Sequence, residues 1–116
     1  MPQMEKLLKS YLPMTEASFL LLASLLQENH GYGIMQKAAA LTEGRVALGA
    51  GTVYTLLYKM ENDGLIRSVR EEDRRKIYVI TDLGKEVLYR EGNRLGQLYR
   101  IAQQSALTER PLAEVR

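Results

Sequence analysis

Between residues 52 and 80 the side-chain period changes once, and that change restricts the fold more than anything else in the sequence. Val53, Leu56, Leu57 and Met60 recur at helical spacing, and Gly64 stands where a helix-terminating glycine belongs. The pattern then turns to strands: Ile66-Arg67-Ser68-Val69-Arg70 alternates, and Lys76-Ile77-Tyr78-Val79-Ile80 is rich in β-branched residues. A hairpin is therefore expected, with Glu71 to Arg75 as its charged turn. A helix running straight into a hairpin needs further helices to cover its apolar stripe.

The preceding residues supply them. Met4 to Tyr11 reads as a short amphipathic helix closed by Pro13. Thr15 is placed to cap a second helix, with Glu16 in its first turn, and Phe19 to Ala23 is apolar on nearly every face, so this helix should be surrounded by other elements and run to Gln27 or Asn29. His30-Gly31-Tyr32-Gly33 marks a tight change of direction before a helix from Tyr32 to Leu41, whose Ile34, Met35, Ala38, Ala39 and Leu41 form one stripe. Glu43 to Gly51 is a glycine-punctuated connection in which Arg45-Val46-Ala47-Leu48 is expected to pair at a sheet edge.

Beyond the hairpin, Thr81 caps a long helix from Asp82 to Ser105. Leu88, Leu95 and Ala102 fall seven apart along it, with Leu98 and Ser105 completing a seam of the coiled-coil type. A seam longer than the domain can cover predicts a partner helix, supplied by a second copy of the chain. The expected division is residues 1–81 as the head, 82–106 as the dimerisation helix and 107–116 as a disordered tail.

Composition narrows the functions available. The 116 residues contain no cysteine and one histidine, which excludes disulfides, zinc–thiolate sites, iron–sulfur clusters and cysteine nucleophiles, so no cofactor or metal is expected. The longest apolar stretch, Ala17 to Leu26, is interrupted by two serines and is too short to span a bilayer, and the first residues lack the pattern of a secretory signal. A cytoplasmic protein without a membrane partner is expected. Gly49-Ala50-Gly51 lacks the third glycine of a dinucleotide fingerprint, which would fall at Tyr54, and no Gly-Lys-Ser/Thr follows it. With no nucleophile elbow and no supported carboxylate pair, an enzyme is not expected.

Three helices, the last with a polar outer face, followed by a cationic ribbon, predict a mainly α chain with a small β-hairpin wing: a winged helix-turn-helix plus a long C-terminal dimerisation helix. A helix about 10–12 Å across fits a major groove about 12 Å wide. The face away from the apolar stripe presents Thr52, Thr55, Tyr58, Lys59 and Asn62, with Tyr54 near the boundary, and their hydroxyl, aromatic, ammonium and amide groups suit contacts to phosphates and base edges. The net charge is only +2, and its positive part gathers between Arg67 and Lys76, so Arg74, Arg75 and Lys76 are the expected phosphate contacts, tempered by Glu71, Glu72 and Asp73. His30 reads as a helix-end cap or a hydrogen-bonded turn residue rather than a pH sensor or ligand. A winged helix can also present the same third helix to protein, and a dimeric small-molecule carrier is a further alternative.

His30-Gly31-Tyr32-Gly33-Ile34, Gly49-Ala50-Gly51-Thr52-Val53-Tyr54 with Leu56-Leu57, Glu61-Asn62-Asp63-Gly64-Leu65-Ile66, Arg74-Arg75-Lys76-Ile77-Tyr78 and Thr81-Asp82-Leu83-Gly84 occur in that order. Together they resemble the PadR family of bacterial transcriptional regulators, over about Thr15 to Leu98. The resemblance implies a repressor that binds a double-stranded DNA operator as a homodimer and is released by a small-molecule effector. By position it places the recognition helix at Gly51 to Gly64, the wing at Arg70 to Tyr78 and the dimer helix at Asp82 to Ser105. Two departures stand out. Ala50 occupies a position that is often proline in relatives, and the chain has no tryptophan on which to stack an aromatic ligand.

Overall fold

The computed structural model describes residues 2–104. Five helices and one hairpin follow one another: α1 (Pro2–Tyr11), α2 (Glu16–Ser24), α3 (Gly31–Leu41), α4 (Ala50–Asn62), β1 (Ile66–Glu72), β2 (Arg75–Ile80) and α5 (Asp82–Gln104). The predicted Ser105 end of the seam and the tail at 107–116 lie outside the described residues.

Three of the five helix starts are set by polar side chains. Thr15 Oγ1 accepts the Ser18 amide at 3.1 Å, His30 Nδ1 accepts the Gly33 amide at 3.0 Å, and Thr81 Oγ1 accepts the Gly84 amide at 3.1 Å. Helix α4 ends in a Schellman arrangement: Gly64 takes φ +79°, its amide donates to the Glu61 carbonyl, and the Leu65 amide donates to the Met60 carbonyl. Thr81 Oγ1 also donates to the Gly64 carbonyl at 2.6 Å, which ties the start of α5 to the end of α4.

Helix α2 fills the centre. Leu21 and Leu22 are fully buried, and Ser24 satisfies its hydroxyl on the Leu20 carbonyl at 2.6 Å. Around it pack Tyr11, Ile34, Val53, Leu57, Met60, Leu65, Ile66, Tyr78, Ile80 and Val87. The α3 stripe holds at Ile34 and Ala38, but Leu41 at its end is exposed.

Helix α2 stops at Ser24, short of the expected Gln27 or Asn29, because the hairpin claims the chain that follows. The Ile80 amide donates to the Leu25 carbonyl, and Asn29 exchanges both backbone hydrogen bonds with Tyr78. That bridge takes the open edge of β2, so the expected strand at Arg45 to Leu48 does not form. Arg45 instead pairs with Glu16 on α2, and Leu48 packs against the core.

The strands also extend further than their alternation shows. They pair from Ile66 with Ile80 up to Glu72 with Arg75, with an irregularity between Ser68 and Arg70. Only Asp73 and Arg74 form the turn, both at positive φ (50° and 65°), the geometry that joins tightly twisted antiparallel strands. Most of the charged segment is thus strand.

Candidate nucleic-acid interface

Helix α4 buries Val53, Leu57 and Met60 and turns Thr52, Tyr54, Thr55, Tyr58, Lys59 and Asn62 outward. Its N-terminus begins at Ala50 after a Gly49 cap with no side-chain bond, so Thr52 lies inside the helix and its hydroxyl is not the cap. Tyr58 is 73% exposed and Tyr54 57% exposed, large fractions for tyrosines within a helix. Tyr54 lies against the first residue of α3: a Cβ on Gly31 would stand 2.8 Å from its hydroxyl oxygen.

Lys59 differs from its neighbours. Its ammonium lies 3.0 Å from Asp63 and 4.2 Å above the centre of the Tyr11 ring, turned toward α1. The Tyr11 hydroxyl donates to the same carboxylate at 2.6 Å. That bond, helped by Lys59, holds Asp63 below the usual carboxylate range, and the bond to Asp63 raises Lys59. Burial, reinforced by Asp63, pushes Tyr11 up to about 12. Lys59 is exposed on the outer face, where the sequence places it, and also engages Tyr11 of α1 from there.

The wing is better supplied with free cations than its composition suggests. Glu72, placed by the sequence beside the tip cations, pairs with Arg70, which also reaches Glu28 in the connection between α2 and α3. Arg74, Arg75 and Lys76 are exposed and have no carboxylate partner among the described residues. The three cations close a cleft of about 300 Å³ whose other walls are His30, Gly31, Tyr32, Tyr54 and Tyr78. His30, Tyr32 and Tyr78 were not among the residues the sequence put forward for contact. The change of direction at His30-Gly31-Tyr32-Gly33 is legible in the sequence, but only the fold brings it to the wing.

On α5, the first half covers the head and the second half does not. Gly84, Val87 and Glu91 are buried, and Leu88 is half-buried against the core of its own chain. Leu95 (41%) and Leu98 (48%) are exposed, as is Ala102. Glu91 occupies a seam position between Leu88 and Leu95 yet is 1% exposed. Its carboxylate accepts the Met14 amide at 2.7 Å and the Arg94 guanidinium at 2.6 and 3.0 Å, and Arg94, aided by the amide, holds it below the ordinary range. Among the described residues no cluster of three or more metal-ligating side chains occurs, and no helix is long and apolar enough to cross a membrane.

A helix-turn-helix whose outer helix stands beside a cationic two-stranded wing defines a winged-helix protein. The sequence model of the transcriptional regulator PadR-like family matches residues 20–90, well over half of the chain. The chain belongs to the PadR-like family of transcriptional regulators. No curated protein matches it in sequence. Among solved structures, a PadR family transcription regulator from Clostridium difficile R20291 superposes with a TM-score of 0.66 at 24% identity, over 78% of this chain and 97% of that one. A PadR family transcriptional regulator from Eggerthella lenta DSM 2243 gives 0.64 at 23% identity, over 96% and 88%. A PadR-like transcriptional regulator from Bacillus cereus gives 0.61 at 25% identity, over 84% and 93%.

Proposed function

We propose that this protein is a cytoplasmic repressor that binds a pseudo-palindromic operator as a homodimer and leaves it when a small molecule binds. Residues 1–81 form the reading head and residues 82–106 the dimer helix. The observation that carries the reading is the shared exposure of Thr52, Tyr54, Thr55, Tyr58 and Asn62 along one side of α4, directly beside wing cations that no carboxylate neutralises. In this reading α4 enters the major groove, the hydroxyls and the Asn62 amide meet phosphates and base edges, and Arg74, Arg75 and Lys76 engage the flanking backbone. Lys59 contributes charge near the groove without leaving Asp63.

Homodimerisation is supported by the second half of α5, where Leu95, Leu98 and Ala102 stay exposed in the single chain. A paired α5 holds two heads at a separation matched to successive major grooves, about 34–36 Å. An effector lodged beside α5 acts by changing that separation, which lowers the population able to bind DNA.

Footprinting of the intact protein on the DNA upstream of its own gene tests this reading, followed by affinity measurements across salt concentrations. Protection of two half-sites one helical turn apart is expected, with binding that weakens steeply as salt rises. Replacing Arg74 and Arg75 together by alanine should lower the salt slope by about one to two units. An unchanged slope and affinity would remove the wing from the interface.

A further inference from the structure

The cleft between α3 and the wing contains hydrogen-bond donors that the protein does not use. The His30 amide donates to Asn29 Oδ1 at 2.9 Å and His30 Nδ1 accepts the Gly33 amide, so two of the four N–H groups that open α3 are satisfied before the Ile34 amide makes the first intrahelical bond, to the His30 carbonyl. The other two belong to Gly31 and Tyr32, both of which line the cleft. Because Nδ1 accepts, the neutral imidazole carries its proton on Nε2. Arg75 Nη1 lies 3.4 Å from that Nε2, so two donors face one another with no acceptor between them.

Tyr78 adds an independent observation. The residue is 8% exposed and lines the same cleft, and its hydroxyl has no hydrogen-bond partner among the described residues. Burial, with Glu61 and Tyr54 adding to it, raises its phenol, which therefore stays protonated and able to donate. No carboxylate lines the cleft, and Arg74 and Lys76 stand at its rim. N–H and O–H donors with cations around them and no carboxylate suit an oxyanion.

We propose that this cleft takes one phosphodiester of the DNA backbone, held jointly by His30 Nε2–H, the Gly31 and Tyr32 amides, the Tyr78 hydroxyl and the Arg75 guanidinium. The inference rests on the DNA-binding reading and deepens it by making His30 a contact as well as a cap. A backbone phosphate is favoured over a free one because Tyr54 belongs both to the cleft wall and to the outer face of α4, so a strand flanking the groove that holds α4 passes over the opening.

His30→Asn separates the two roles of the residue. Asparagine caps a helix as well as most residues do, but it carries no donor at the Nε2 position. The experiment replaces each phosphate of the footprinted operator in turn by an uncharged methylphosphonate and measures affinity for the wild type and His30→Asn, both at full length. The wild type should lose about ten-fold at one position per half-site, and His30→Asn should bind unmodified operator about ten-fold more weakly with little further loss at that same position.

The single histidine of the chain gives a second readout that does not depend on a variant. On the unmodified operator the His30 Nε2 proton should become visible by nuclear magnetic resonance, and on the operator carrying the critical methylphosphonate it should not. Specific DNA binding with no coupled position and no imidazole response overturns the phosphate site and leaves the DNA-binding reading standing. An imidazole response to inorganic phosphate alone, with none to operator, assigns the cleft to a free anion and also overturns it. If no DNA is bound at all, both readings fall together.

Discussion

Glu91 of α5 accepts the backbone amide of Met14 at 2.7 Å, across 77 positions of sequence, and so ties the long C-terminal helix to the residue that leads into α2. The bond lies in the groove that Leu95 also lines, at the point where α5 leaves the head. Together with the Thr81 bond to the Gly64 carbonyl and the burial of Val87, it fixes how α5 sits on the head.

Glu91 is therefore expected to show in acid stability. Arg94, with the Met14 amide, lowers its folded pKa below the ordinary 4.5, so its contribution is complete above about pH 4.5 and is lost as the pH falls through the folded value. Glu91→Gln keeps an acceptor for Met14 but loses the charge. In urea unfolding, the gap between wild type and Glu91→Gln should shrink as the pH drops below 4.5. Glu91→Ala leaves the half-buried Met14 amide without its acceptor and should cost about 1–2 kcal/mol at pH 7.

Gly84 gives a test of packing between α5 and the end of α4. A Cβ there would stand 2.1 Å from the Leu65 carbonyl oxygen and 2.7 Å from the Ile80 side chain. The nearest obstacle is backbone and cannot rotate away. Gly84→Ala should lower stability by about 2–3 kcal/mol despite the higher helix propensity of alanine, read as a shift in the thermal midpoint.

Tyr11→Phe removes the hydroxyl bound to Asp63 and loosens α1 from α4. The expected loss is about 1–2 kcal/mol at pH 7 in denaturant unfolding, because the acceptor is charged. Tyr11 is raised from 10.0 to about 12, so its stabilising effect is complete below pH 10 and is lost as the pH climbs through 12. The wild-type advantage over Tyr11→Phe should shrink over that interval, and an advantage constant through it would show that the phenol proton plays no part.

Leu95 and Leu98 carry the prediction for assembly. Both are exposed in the single chain, so replacing both by aspartate should leave the circular dichroism spectrum unchanged. Two charges buried against a partner helix are costly, and the mass in dilute solution by light scattering should fall from dimer to monomer. A dimeric double variant would place the interface elsewhere.

The sequence by itself determined the order of elements and the outward side of α4, because helix and strand periods are local properties of the chain. Gly64, Thr15, Thr81 and His30 announce their turns and caps for the same reason: each acts on amides within a few residues. The tertiary structure decided everything that depends on competition between distant partners. Asn29 rather than Arg45 to Leu48 takes the open edge of β2, Asp63 draws Lys59 toward α1, and Arg70 occupies Glu72 and leaves Arg74, Arg75 and Lys76 free. Charge counting along the chain treats these groups as neighbours, whereas folding selects among all the carboxylates and backbone edges within reach. Only that selection brings His30, Tyr54, Tyr78 and Arg75 around one cleft.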